Sequence, residues 1–124
     1  MSVSRLLTKP LFALAAAGVA GLLAAAPAQA VTEAEAEQIF LEYQRAIAAA
    51  ESCYDVKYSQ DEFKQMMVVI NAAVENKIGT KRLNLVHQAK GEVSRMLPSQ
   101  TCKGAKIVSL LELFERDLRP QLTQ

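Results

Sequence analysis

From Val31 onward the apolar residues return every third or fourth position, in four runs separated by short polar breaks. That spacing is the period of an amphipathic helix. Ala36, Ile39, Phe40, Tyr43, Ala46, Ile47, Ala50, Cys53 and Tyr54 form the first run. Thr32 and Glu35 ahead of it predict a capping box, in which each side chain takes a backbone amide that the first turn leaves free. The second run is Phe63, Met66, Met67, Ile70, Ala73, Val74 and Ile78. Ser59 with Glu62 predicts a second capping box, and Tyr58 is placed to pack on Phe63 as a hydrophobic staple. Gly79 is the expected stop, because glycine enters the left-handed conformation cheaply.

Thr80 is the expected cap of the third run, Leu83, Val86, Ala89, Val93, Met96 and Leu97. Gly91 weakens that helix by about 1 kcal/mol relative to alanine, and Pro98 is expected to end or follow it. Ser99 or Thr101 is expected to cap the fourth run, Ile107, Leu110, Leu111, Phe114 and Leu118, with Pro120 as its stop. No stretch alternates with period two or carries a hairpin turn signal. The expected fold is therefore all-α, a small four-helix bundle with alternating up and down helices joined by short connections.

The segment ahead of the first helix has a different character. Met1–Ala30 reads as a secretory signal peptide: Arg5 and Lys9, an apolar run from Leu11 to about Ala26, then Pro27-Ala28-Gln29-Ala30 as a cleavage site. The apolar run is shorter than the ~20 residues a membrane span needs, and the alternative is an uncleaved anchor. Cleavage predicts a single helical domain over residues 31–124, periplasmic or secreted, with no stable membrane anchor. Losing Arg5 and Lys9 leaves 12 basic against 13 acidic residues, a formal net charge of −1. That balance argues against nucleic acid as a partner.

Cys53 and Cys102 are the only cysteines. Export permits a disulfide between them, the alternative being two buried thiols. Alternating helices put the end of the first beside the start of the fourth, where the two cysteines lie. The bond would then staple the bundle.

Catalytic chemistry finds little support. His87 is the only histidine, no nucleophile or orienting acid is placed with it, and no catalytic residue is assigned. Met66, Met67, His87 and Met96 contain the donors of a soft copper site. The methionines fall on inward positions, however, where methionine is an ordinary core filler, and neither a metal nor another cofactor is expected. Asp61, Glu62 and the Glu33/Glu35/Glu37 group sit in first helical turns, where they complement the helix dipole. Lys77, Lys81 and Arg82 form a basic turn. Tyr54 and Tyr58 flank the staple, and exposed aromatics there can anchor a partner; capping and core filling are the other use.

Ser52-Cys53-Tyr54-Asp55-Val56, followed by Phe63 and the apolar helix to Asn76-Lys77, resembles the periplasmic acid-stress chaperones of the HdeA type. The resemblance covers residues 52–77 and the position of Cys102; helices three and four follow a different pattern. It implies a small exported helical protein with one disulfide, a homodimer that opens in acid and shields unfolding clients. The charge inventory is compatible with this. With the acids protonated below about pH 4, twelve Lys/Arg and His87 leave about +13 on the side chains, and self-repulsion favours expansion. The expected role is thus protein–protein contact, as a stress chaperone. The alternatives are a dedicated inhibitor, an accessory subunit of an envelope complex, or a periplasmic metal-binding protein.

Overall fold

The structure, a computed structural model, describes residues 30–122. Apart from Ala30, the signal-peptide expectation falls outside the described residues. Val31–Gln124 form a compact unit, and within it the described residues are helical with no strand. The helices are α1 Glu33–Cys53, α2 Gln60–Val74, α3 Arg82–Gln100 and α4 Ala105–Leu113, the last continued by π-helical Phe114–Leu118 and by α5, Arg119–Leu122. A 3-10 turn, Gly79–Lys81, leads into α3. No described helix is long and apolar enough to cross a membrane.

Both capping boxes form as the sequence predicts. Glu35 N–H donates to Thr32 Oγ1 and Thr32 N–H to Glu35 Oε1, and Ser59 and Glu62 repeat the pattern at α2. The other boundaries differ. α2 stops at Val74, short of Gly79. Glu75 and Asn76 both adopt left-handed backbone, φ 55° and 57°, and Asn76 N–H closes back on the Asn71 carbonyl, which satisfies an end carbonyl of the helix. Contacts near Val31 hold this turn: Glu75 Oε1 accepts from Val31 N–H at 3.2 Å, and Lys77 Nζ donates to the Val31 carbonyl. Gly79 does take positive φ, +63°, but as the first residue of the 3-10 turn.

Thr80 sits inside that turn and caps nothing; α3 begins at Arg82 without a side-chain cap. Pro98 lies within α3, which runs on to Gln100. Ser99 is therefore in α3, and Gly104 rather than Thr101 is the N-cap of α4. A Cβ on Gly104 would stand 2.6 Å from the Gln100 carbonyl oxygen, so the tight α3–α4 turn requires its absence. Pro120 does not stop the last helix. Proline cannot donate the next ladder bond and crowds the carbonyl four residues back. The chain answers with a π-turn, in which Arg119 N–H reaches Phe114 O.

α1 is the hub, packing against α2, α3 and α4. Ala46, Ile47, Ala48, Ala49 and Ala50 are all buried, so this part of α1 is enclosed on every side. Four of the five are alanine, whose small side chain lets neighbouring helices approach closely on several faces. Paired contacts give the directions. Lys81–Glu37, Arg45–Glu92 and Cys53–Cys102 advance together along α1 and α3, so these run parallel. Glu75 by Val31 and Met67 by Gln44 show α2 running antiparallel to α1. The alternation of up and down is therefore borne out for the first three helices. One adjacency expected of a four-helix bundle is missing: among the described residues α2 and α3 make no close backbone contact.

The staple forms as read. Cys53 and Cys102 are bonded with their Cα atoms 5.7 Å apart. Cys53 is half-buried at the end of α1, and Cys102 is exposed in the turn before α4.

Candidate functional site

Tyr54 and Tyr58, read either as a partner anchor or as capping and core filling, join a cluster around Phe114. Phe114 is fully buried. Tyr58 stacks on its ring at 5.7 Å and Tyr54 meets it edge-on at 6.2 Å. The Tyr58 ring, expected to pack on Phe63, stacks on a residue of the last helix, and both Tyr58 and Phe63 pack against the core. The Arg119 guanidinium lies 5.3 Å from the Tyr54 centroid and 5.5 Å from that of Phe114. Arg119 Nε also pairs with Glu115 Oε1 at 2.6 Å, while Tyr54 Oη donates to Glu115 Oε2 at 2.7 Å. Both tyrosines remain half-exposed, but their ring faces and one hydroxyl are spent on holding the exit of α1 against the last helix.

Two further clamps tie the bundle to α1. Arg45 Nε donates to Glu92 Oε1 at 2.6 Å and fixes α3. Tyr43 Oη donates to Asp117 Oδ2 at 2.7 Å and fixes the π-turn. Hydrogen bonding to the ionised form lowers a carboxyl pKa. Glu92 is lowered chiefly by the Arg45 hydrogen bond, Glu115 by that from Arg119, and Asp117 by that from Arg116 with Tyr43 adding to it. Tyr43 is pushed the other way, to about 12, by burial and then by its bond to the Asp117 carboxylate. None of these long-range pairs carries a local sequence signal.

The separation of α2 from α3 leaves an open groove of about 830 Å³. Phe40 and Gln44 of α1 form its floor. Phe63 and Met67 of α2 face Leu83 and Val86 of α3 across it. Leu83, predicted to point inward, is 65% exposed here. Leu85, absent from the predicted stripe, is buried in its place with Ala89 and Val93. Gln44 is only 5% exposed, and its amide Nε2 donates to Met67 Sδ at 3.7 Å, a weak acceptor. The polar lining is one-sided: Lys64, Arg82 and Lys90 with Gln60, Asn71 and Thr80, and no acid. Arg82 closes one end, its guanidinium 5.3 Å from the Phe40 ring centroid and its Nη1 donating to Asn71 Oδ1.

A second, more polar cleft of about 670 Å³ lies between α1, α3 and α4, where Arg45 and Glu92 meet. Met96 lines that cleft, Met67 lines the α2/α3 groove, and Met66 is fully buried in the core. His87 is exposed and lines neither. The four residues weighed as a copper site are therefore dispersed. Among the described residues no three His, Cys, Asp or Glu side chains converge as a metal would require.

No family model, no curated protein and no solved structure matches this chain.

Proposed function

We propose that this is a small exported protein that acts without catalysis, by holding an apolar segment of another protein in the α2/α3 groove. The observation that carries the reading is the groove itself. It is walled by Phe63, Met67, Leu83 and Val86 and left open because two helices that neighbour each other in sequence do not pack together. An open apolar groove rimmed by polar residues has the form in which amphipathic segments are held. The signal-like sequence of Met1–Ala30 and the Cys53–Cys102 bond favour the periplasm or the exterior as its place of work.

A specific observation also favours an acid-triggered form of this activity, the stress-chaperone role that the HdeA-type resemblance implies. Glu92 and Asp117 fasten α3 and the π-turn to α1 through charge-assisted contacts that protonation weakens.

The test is a cross-linked pull-down from periplasm at neutral and acid pH, with wild type and Leu83→Asp in parallel. Loss of capture in Leu83→Asp supports the groove. A single partner recovered at neutral pH identifies a dedicated inhibitor or accessory subunit. A spread of unrelated proteins captured only in acid identifies a client-holding chaperone. Capture that ignores Leu83→Asp at both pH values sinks the groove reading.

A further inference from the structure

We infer that the occupant of the α2/α3 groove is an amphipathic helix, about three turns long, whose apolar ridge is flanked by carboxylates. This rests on the groove reading above and specifies its ligand. Three observations lead to it.

The first is size. The lined part of α2 runs from Gln60 to Asn71, about 16 Å of helix at 1.5 Å per residue, or three turns. Its apolar positions, Phe63 and Met67, are one turn apart, as are Leu83 and Val86 on the opposite wall. A helix laid between them meets two ridges and a floor, the arrangement of helix-in-groove recognition.

Charge is the second. The segment from Val31 onward carries 12 basic and 13 acidic residues, yet the groove lining holds three cations and no acid. Among the described residues, neither Lys64 nor Lys90 has a carboxylate within ion-pairing distance. Because α2 and α3 run antiparallel, Lys64 and Lys90 stand on opposite walls towards the Gln60 end, while Arg82 closes the Asn71 end. Cations on both walls and at both ends match carboxylates spread along a helix. A single-headed lipid would use only one end.

The third is Gln44. Its nearly buried amide is engaged only by a thioether among the described residues. It can offer a stronger bond to a polar atom at the centre of an incoming helix.

The experiment uses the oxidised protein purified from periplasm and three fluorescent helical peptides. They share one leucine ridge and differ in their flanks, which are glutamate, glutamine or lysine. Binding is read by fluorescence anisotropy at low and high salt, with oleate as a competing probe. The glutamate peptide is expected to bind about tenfold or more tighter than the lysine peptide, with the advantage shrinking in high salt. Lys64→Glu with Lys90→Glu should reverse the order, and Leu83→Asp should weaken all three. These three side chains are exposed, so circular dichroism should match wild type. Should the double variant misfold, the salt dependence of the wild type decides the question alone.

Equal binding of all three peptides, still sensitive to Leu83→Asp, would overturn the charge assignment and leave the groove reading standing. Oleate binding with no peptide binding would replace the helix by a lipid and overturn the inference. Absence of any binding, together with pull-downs that ignore Leu83→Asp, would remove both.

Discussion

Reduction of the Cys53–Cys102 bond is the most direct perturbation of this fold. The bond closes a sequence separation of 49 residues, for which the chain-entropy relation gives about 4 kcal/mol. Residual structure in the unfolded chain lowers this, so a loss of about 2–4 kcal/mol is expected. For a domain whose total stability lies near 5–15 kcal/mol, that is a large share. The loss should also have a location. α4 starts on Gly104 with no side-chain cap. The turn before it holds Thr101 at φ 57° and is braced by Lys103 N–H donating to Thr101 Oγ1 at 3.2 Å. Once the sulfurs separate, the start of α4 is held only by packing such as that of buried Ile107, with neither a cap nor a covalent tie. The assay is urea unfolding of oxidised protein, of reduced protein and of the Cys53→Ser/Cys102→Ser variant, with hydrogen exchange on each. With no other thiol in the chain, reductant and variant should agree. The expected result is a midpoint lower by about 1–3 M urea, with exchange protection lost first over residues 101–108. A midpoint change worth less than about 0.5 kcal/mol, or protection lost first in α2, would refute the reasoning.

Phe114→Ala removes the fully buried ring that Tyr54, Tyr58 and Arg119 surround and should cost about 3–5 kcal/mol in urea unfolding; a cost below about 1 kcal/mol would show that the cluster is not a packing centre. Glu92, Glu115 and Asp117 have folded pKa values below their ordinary 4.5, 4.5 and 3.8. Their contribution is therefore complete above about pH 4.5 and is lost as pH falls through the lowered values. Glu92→Gln should accordingly be less stable than wild type at neutral pH, and the difference should shrink towards pH 2; a constant difference would argue against the Arg45 clamp. Cleavage after Ala30 would turn the Val31 amide that donates to Glu75 into an ammonium. N-terminal sequencing of periplasmic protein should then begin at Val31, and Glu75→Gln should lower the pKa of that amine in an NMR titration, whereas an unchanged pKa would place the amine elsewhere.

How legible this fold was depended on the range of the interaction concerned. The capping boxes at Thr32 and Ser59 use residues three apart, so sequence alone sufficed. The cystine was legible because only one pairing of two cysteines exists. Helix ends failed where a local rule met a tertiary answer. Glycine at 79 and proline at 120 are ordinary stops, but the contacts of Glu75 and Lys77 with Val31 hold a left-handed turn earlier, and a π-turn absorbs Pro120. Leu83 and Leu85 illustrate the same limit. Leu83 is three residues from Val86, and Leu85 is four from Ala89, so either fits a helical stripe. Which one is buried depends on the angle at which α3 meets α1, and no periodicity contains that angle. The candidate site was opaque for the same reason. Its walls belong to helices that make no close backbone contact, and its clamps join residues as far apart in sequence as Tyr43 and Asp117.

The placement of those clamps decides what acid would do to the groove. The carboxylates with lowered pKa, Glu92, Glu115 and Asp117, lie on α3 and the π-turn, and none is on α2. α2 is held to α1 partly by contacts that acid leaves intact, Met67 against Gln44 and the burial of Met66, Ile70 and Val74, and at its ends by bonds to Glu62 and Glu75. Like α3, it lies inside the loop closed by the disulfide. Protonation of the carboxylates with lowered pKa is therefore expected to weaken the attachments of α3 and of the π-turn to α1. Cys102 keeps the far end of α3 beside Cys53. Any loosening of α3 is therefore expected at the Arg82 end, the end remote from the bond. The exposed Leu83 stands at that end, so under the proposed function acid should present more apolar surface there, and dye binding that is unchanged between neutral pH and about pH 3 would refute this.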